Sequence, residues 1–243
     1  MIKVLYEDNH IIAVLKPAGL LTQGDRSGER SLMDDVKDYL RIKKGKPLPG
    51  NASPAELGRS GVFLGLVHRL DKPVAGIVLF GKTSKGASRL SQQFRNHTIQ
   101  KTYHGIVVGK PKEARGSIKE KVNKISFFAE GFTNKTDQEL LAEIKKATKT
   151  RTAELSWEVV KSNGKYSLLK ILPKTGRFHQ IRIQLANMGQ PILGDTKYGA
   201  GSAWQSKNSI ALCATAISFK SATEDKTINL EIPLPDEWAG YIR

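Results

Sequence analysis

Two short runs, Lys3–Glu7 and Ile11–Lys16, are separated only by Asp8-Asn9-His10. Runs rich in branched residues and bounded by turn residues read as β-strands. Pro17-Ala18-Gly19 then stops the second strand. Further strands are predicted over residues 76–81, 101–108, 151–161, 166–172, 210–219 and 228–232, with Asn163-Gly164 as a hairpin turn. Ser31 and Asp34 mark a helix start, after which Leu32, Val36 and Leu40 share one face. A second helix begins at Ser84, with Ala87, Leu90 and Phe94 at helical spacing. A third pattern covers residues 178–188, and Gly189 stands at its C-cap. Residues 45–64 read as an exposed loop with Pro47, Pro49 and Pro54, and residues 110–149 as a Lys- and Glu-rich rim of hairpins.

Strands and helices are thus intermixed, and several strands are joined by hairpin turns. This order predicts an α+β fold, a single domain over residues 1–243. Its central sheet is mixed and mainly antiparallel, flanked by helices and loops. A doubly wound nucleotide fold would need regular alternation and a glycine fingerprint, and neither is present.

The 39 Lys and Arg residues outweigh 23 Asp and Glu, for a net charge of +16. That excess favours a polyanion, and nucleic acid before an acidic membrane. No segment joins a basic face to a strong apolar one, and no apolar run reaches the roughly 18 residues of a membrane span. The N-terminus carries Glu7 and Asp8 and does not read as a signal peptide. The one cysteine, Cys213, reads as a buried apolar residue in a reducing, cytoplasmic setting. His10, His97 and His104 lack ligand spacing, so no metal is expected.

Three segments can carry chemistry. His68-Arg69-Leu70-Asp71-Lys72-Pro73 delivers an acid into a turn between cations. Such a carboxylate stays ionised and can act as nucleophile or general base, or it can serve a structural salt bridge. Thr175-Gly176-Arg177-Phe178-His179-Gln180-Ile181-Arg182 crowds cations around a helix start, which suits an anion or simply a capped surface. Lys101-Thr102-Tyr103 places a tyrosine on a strand, for packing or for stacking on a base.

Together these segments resemble the RluA family of pseudouridine synthases. The matching pieces run in the family's order: Lys16-Pro17-Ala18-Gly19-Leu20, His68-Arg69-Leu70-Asp71, Gly76-Ile77-Val78-Leu79-Phe80-Gly81-Lys82-Thr83, Lys101-Thr102-Tyr103, Thr175 to Arg182, and Gly189-Gln190-Pro191-Ile192-Leu193-Gly194-Asp195. Tyr198-Gly199 closes the last of them. The resemblance covers nearly the whole chain, from about residue 3 to residue 235. Two departures are Val74-Ala75 where the family commonly has Thr-Ser, and Gln184 where it often has histidine. Both bear on substrate preference. The pattern starts at once, so the N-terminal RNA-binding domain of many relatives is expected to be absent.

The resemblance implies an RNA uridine-to-pseudouridine isomerase that needs no cofactor and no metal. Asp71 would act at the ribose anomeric carbon, by covalent attack or a glycal route. Tyr103 would stack on the uracil and help remove the C5 proton. Arg177 would pair with Asp71, with Arg182 as the second choice. Arg69 would fill the space of the flipped base, and His68 would shape the turn. Lys72, Lys82, His179, Gln180 and Arg182 would bind RNA or base. The expected partner is a stem-loop of ribosomal or transfer RNA, met by a monomer away from membranes. A non-catalytic RNA-binding or ribosome-assembly protein on the same fold is the alternative, and an intact Asp71 stands against it.

Overall fold

The computed structural model describes residues 2–45, 61–122, 151–201, 204 and 208–242. Most of the loop expected over residues 45–64, and residues 123–149 of the expected rim, lie outside them. The chain divides into two compact units. The first holds Met1–Tyr103 and Ser206–Pro235, the second His104–Gln205 and Asp236–Arg243.

In the first unit, β1 (Lys3–Glu7) and β2 (Ile11–Lys16) are the two expected strands, and they pair as an antiparallel hairpin. Asp8 makes the tight link possible. Its carboxylate accepts from the backbone N–H groups of His10 and Ile11 at 2.7 and 2.6 Å. β2 pairs antiparallel with β4 (Ala75–Gly81), and the short β3 (Gly65–Leu66) also pairs with β4. β4 meets β9 (Leu212–Lys220) in parallel at Ala75–Cys213 and Gly76–Ala214, and β10 (Thr227–Glu231) returns antiparallel along β9. This confirms a mixed, mainly antiparallel sheet. Gly76 is required at the parallel contact. It sits at φ +132, and a Cβ there would lie 2.5 Å from the Ala214 backbone N and O.

Helix α1 (Leu32–Lys43) opens with a capping box between Ser31 and Asp34 and buries Leu32, Val36 and Leu40. Helix α2 (Ser84–Arg95) is capped by the Thr83 hydroxyl, one residue ahead of its expected start, and buries Leu90. Ile11, Ala13, Ile77, Leu79, Leu90, Ile217 and Phe219 make the core. These residues of β2, β4 and β9 alternate along their strands, and Ile12, Val14, Val78 and Phe80 on the opposite face of the sheet are buried as well.

Strand β5 (Gln100–Val108) crosses from the first unit to the second after Tyr103. The second unit adds β6 (Arg115–Val122), β7 (Arg151–Ser162) and β8 (Tyr166–Pro173), in the order β5-β8-β7-β6. β6 lies in the stretch read from the sequence as rim hairpins and excursions, where no strand bounds were assigned. Its alternating burial places Gly116, Ile118, Glu120 and Val122 on one face, and the Lys and Glu residues between them hid that pattern. The Asn163-Gly164 turn joins β7 to β8 as expected, with Gly164 at φ +85. Helix α3 (Gln180–Asn187) starts two residues later than the sequence pattern, because His179 adopts a left-handed φ of 49 and cannot continue a helix backward. Gly189, at φ +79, closes it.

Candidate active site

The fold of the first unit spends much of its buried polarity on one turn. Lys16 ends β2 with no exposed surface. Its ammonium donates to the carbonyls of Pro17, Leu20 and Lys72 at 2.9, 2.6 and 3.1 Å, using all three protons. Gly19 N–H donates to the same Lys72 carbonyl at 2.8 Å. Across the turn, the Thr22 hydroxyl donates to the Leu70 carbonyl at 2.8 Å and accepts from Leu70 N–H at 3.1 Å. The turn closes on itself through Val74 N–H and the Asp71 carbonyl at 3.0 Å. Asp71 is therefore held on both sides, at Leu70 and at Lys72, with its half-buried carboxyl between them.

Electrostatics place Asp71 among these groups. Burial drives the Lys16 pKa down to about 8, and the Asp71 carboxylate opposes that fall. The Tyr103 phenol is pushed up, first by burial, then by the Asp71 carboxylate and by Cys213. Asp71 and Tyr103 thus sit within electrostatic reach, and the phenol stays neutral at ordinary pH.

His68 lies behind the turn. Its Nε2 accepts from Leu79 N–H at 2.9 Å, and its ring stacks on Phe94 at 4.7 Å. Burial, then the Lys101 charge, push its pKa down to about 3. The ring is neutral, and its proton belongs on Nδ1. Arg69 is exposed next to the turn. Lys72 reaches Glu29 at 2.6 Å on the surface. Lys82 lies beyond the far end of β4 from Asp71, roughly 20 Å along a strand of this length. It is engaged there with Glu7 at 2.5 Å and the Asp8 carbonyl at 2.7 Å. A separate cavity of about 560 Å³ lies in this unit between Leu15, Pro17, Leu32 and Tyr39, and neither Asp71 nor Tyr103 lines it.

The second unit organises the segment from Thr175 to Arg182 around buried Gln180. Its Oε1 accepts from the Thr175 hydroxyl at 2.7 Å and from Arg177 N–H at 3.0 Å, while its Nε2 donates to the Glu154 carbonyl at 3.1 Å. The half-buried Arg177 donates from Nε to the Thr152 carbonyl at 3.1 Å. Phe178, 40% exposed, lies parallel over the His179 ring at 3.8 Å. His179 Nδ1 contacts the Tyr198 hydroxyl at 2.6 Å. Arg182 makes a buried two-pronged pair with Asp195, at 2.7 and 2.8 Å, and its guanidinium lies 4.8 Å from the Tyr198 ring centre.

Asp71, Tyr103, His68, Arg69 and Lys72 belong to the first unit, and Arg177, His179, Gln180 and Arg182 to the second. Sequence reasoning overlooked Lys16 and Thr22 as supports of the turn, and Asp195 as the partner of Arg182. Lys16 and Asp195 stood inside quoted motifs. Thr22 had no signal, because its contact spans 48 positions of chain.

Among the described residues, no cluster of His, Cys, Asp and Glu is arranged to hold a metal ion. No described helix is long and apolar enough to cross a membrane. A family profile described as RNA pseudouridylate synthase matches residues 10–187. A ribosomal large subunit pseudouridine synthase C of Rickettsia bellii is 31% identical over 96% of this chain and 68% of its own length. A tRNA pseudouridine synthase C of Vibrio cholerae is 29% identical over all of this chain and 95% of its own length. The solved structure of human RNA Pseudouridylate Synthase Domain Containing 4 superposes with a TM-score of 0.71. It is 20% identical and covers 98% of this chain and 90% of its own, so it speaks to the fold. With most of its length matched by the profile, and with the order of its motifs, this chain belongs to the RNA pseudouridylate synthase family.

Proposed function

We propose that the enzyme converts one uridine of a folded ribosomal or transfer RNA to pseudouridine, with Asp71 acting at the ribose anomeric carbon. The observation that carries this reading is the Asp71 turn, braced at Leu70 by Thr22 and at Lys72 by Lys16, with a neutral Tyr103 in electrostatic reach. Both kinds of RNA are named among its relatives. The family profile runs through parts of both compact units, which supports their working as one catalytic domain. We take the reaction to run in the cytoplasm and the working form to be a monomer.

The reaction breaks the bond between uracil N1 and ribose C1′, turns the base, and joins C1′ to C5. The C5 proton leaves, and N1 ends with a proton. No redox step or cofactor is needed. The target base must first leave its stack, at a cost of a few kcal/mol. Arg69, exposed beside the turn, fills the vacated space. Asp71 reaches C1′ as a carboxylate. Tyr103 offers its ring to the uracil face and keeps its hydroxyl proton, so it works as a stacking surface and hydrogen-bond donor rather than a phenolate base. Arg177 and Arg182, which the family motif offers as the arginine that keeps Asp71 ionised, lie in the second unit, where Arg177 donates to the Thr152 carbonyl and Arg182 pairs with Asp195; separate Ala substitutions read by kcat test each for that role. His68 and Gln180 act through the backbone they hold, and Lys82 belongs to the Glu7 network.

The test is tritium release from RNA carrying 5-tritiated uridine, by wild type and by Asp71→Ala. Release by wild type alone is expected. Release by Asp71→Ala at the wild-type rate would remove Asp71 from its role, and free uracil in the products would point to hydrolysis in place of isomerisation.

A further inference from the structure

Helix α2 runs from Ser84 to Arg95 without an acidic residue. Lys85, Ser88, Arg89, Gln92, Arg95 and the C-cap Asn96 are all exposed. On a helix these positions share an arc of roughly 120°, and Lys85 and Arg95 stand about 15 Å apart along the axis. The other side of the helix is fixed to the sheet. Gly86 and Leu90 are buried there, and the Gln93 amide brackets the Lys220 backbone, donating to its carbonyl at 2.9 Å and accepting from its N–H at 2.8 Å. Ala87 packs against Gly81 at the far end of β4. At the opposite end of the helix, Phe94 stacks on His68, three residues before Asp71. The outer face of α2 therefore leads back toward the catalytic turn.

The charges on that face work against the helix that carries them. Lys85 lies in the first turn, where the helix dipole disfavours a cation. Lys85 and Arg89 are four residues apart, so two like charges are neighbours, which weakens a helix. Only Arg95, in the last turn, is well placed for stability. None of the three forms an ion pair with a described residue. Helix α1 of the same unit is arranged the opposite way. It has Asp34 and Asp35 in its first turn and Arg41 and Lys43 in its last, and Lys43 pairs with Glu7. Solubility would be served by mixed signs. A one-signed, outward face that costs its own helix stability is complementary to a polyanion.

We propose that the outer face of α2, through Lys85, Arg89 and Arg95, holds the phosphate backbone of the RNA substrate away from the target nucleotide. Ser88, Gln92 and Asn96 lie among the three cations and donate hydrogen bonds to the same backbone. Contacts of this kind set the register of the RNA without reading its bases. The proposal rests on RNA being the substrate.

One variant combines Lys85→Gln, Arg89→Gln and Arg95→Gln. A control variant loses the same charge from other exposed positions, through Lys112→Gln, Lys161→Gln and Lys226→Gln. The probe is the in vitro transcript of ribosomal or transfer RNA, with 5-tritiated uridine, that the wild type binds most tightly. Each phosphate contact contributes roughly 0.7 to the slope of log affinity against log salt on single strands, so the α2 variant should lose about 2 from that slope. Its Kd should rise about 100-fold at roughly 0.1 M salt and meet that of wild type near about 1 M. Its kcat at saturating RNA should hold, since the substitutions lie outside the Asp71 turn, and its Tm should hold or rise. The control should keep most of the wild-type slope. An α2 variant with wild-type Kd and slope overturns the proposal. So does a control that loses as much, because the effect then belongs to overall charge, and so does a loss of affinity that persists at high salt with a lowered Tm. Tritium release by wild type and Asp71→Ala is read on the same transcript. No release by the wild type overturns the isomerase reading, and Kd and slope still decide the role of α2 on their own.

Discussion

Replacing Lys16 by Met should damage catalysis far more than folding. The substitution keeps an unbranched side chain of similar length in a fully buried position and removes the ammonium. The carbonyls of Pro17 and Leu20 lose the only partner they have among the described residues, while that of Lys72 retains Gly19 N–H. Pro17 is exposed and Leu20 half-buried, so water takes up part of the loss and the cost is about 1–3 kcal/mol, that of one unsatisfied carbonyl. The opposing gain is relief from burying a charge. A lysine pKa of about 8 in place of 10.5 corresponds to about 3 kcal/mol. The net effect lies between no change and a gain of about 2 kcal/mol, a shift in Tm of no more than roughly 8 °C for a chain of this size. The catalytic cost is larger, because the Leu20 and Lys72 carbonyls are no longer drawn to one point. A displacement of about 1 Å at Asp71 is enough to lower kcat about 100-fold.

The pH dependence of stability gives an independent check. Lys16 has a lowered pKa in the folded protein, so between about 8 and 10.5 the unfolded chain holds more protons than the folded one. Stability contributed by this group therefore rises with pH through that window. Lys16→Met lacks the rise, so wild type gains stability relative to the variant from pH 8 toward 10.5. Urea denaturation at several pH values and tritium-release kinetics at pH 7 measure both effects. A variant with kcat within threefold of wild type would refute the positioning role, and a wild type that loses stability relative to the variant over the same pH window would refute the electrostatics.

Three other outcomes are expected. Gly76→Ala forces a Cβ into the Ala214 backbone at an unfavourable φ and should cost about 3 kcal/mol or more, read by urea denaturation; wild-type stability would mean that β4 and β9 yield there. Glu7 lies in a buried setting that alone would raise its pKa, yet hydrogen bonds from Lys43, Lys82 and Tyr39 hold it down at about 2. Its stabilising contribution is complete above pH 4.5 and is lost as pH falls toward 2, so Glu7→Gln should flatten the acid limb of a stability–pH curve. Arg182→Lys keeps the charge but cannot make the two-pronged pair with Asp195; it should lower stability by about 2–4 kcal/mol, and Tm equal to wild type would show that one prong suffices.

Much of the architecture could be read one element at a time. β1 and β2 fall where their apolar runs and the Asp8 turn put them, and the capping box of α1 is a local signal satisfied locally. β6 had no bounds within the expected rim of hairpins, because only one of its faces is shielded and the charged residues between mask the period. The start of α3 was misjudged because nothing in a chain of residues announces that His179 will take a positive φ. Asp71 and Tyr103 were recognisable from the order of the motifs. The devices that hold them were not, since Lys16 to Lys72 and Thr22 to Leu70 join positions 56 and 48 residues apart.

The sequence by itself determined the strands and helices, the basic character and the family, because these depend on residue periodicity, on turn chemistry and on motif order along the chain. Tertiary structure alone decided which charges are compensated. Lys16, Lys82 and Lys101 are the same residue in sequence. Folding gives the first three carbonyls, the second a glutamate, and the third a half-buried place on β5. Desolvation and pairing are properties of the space around an ammonium, and that space is built from segments far apart in the chain.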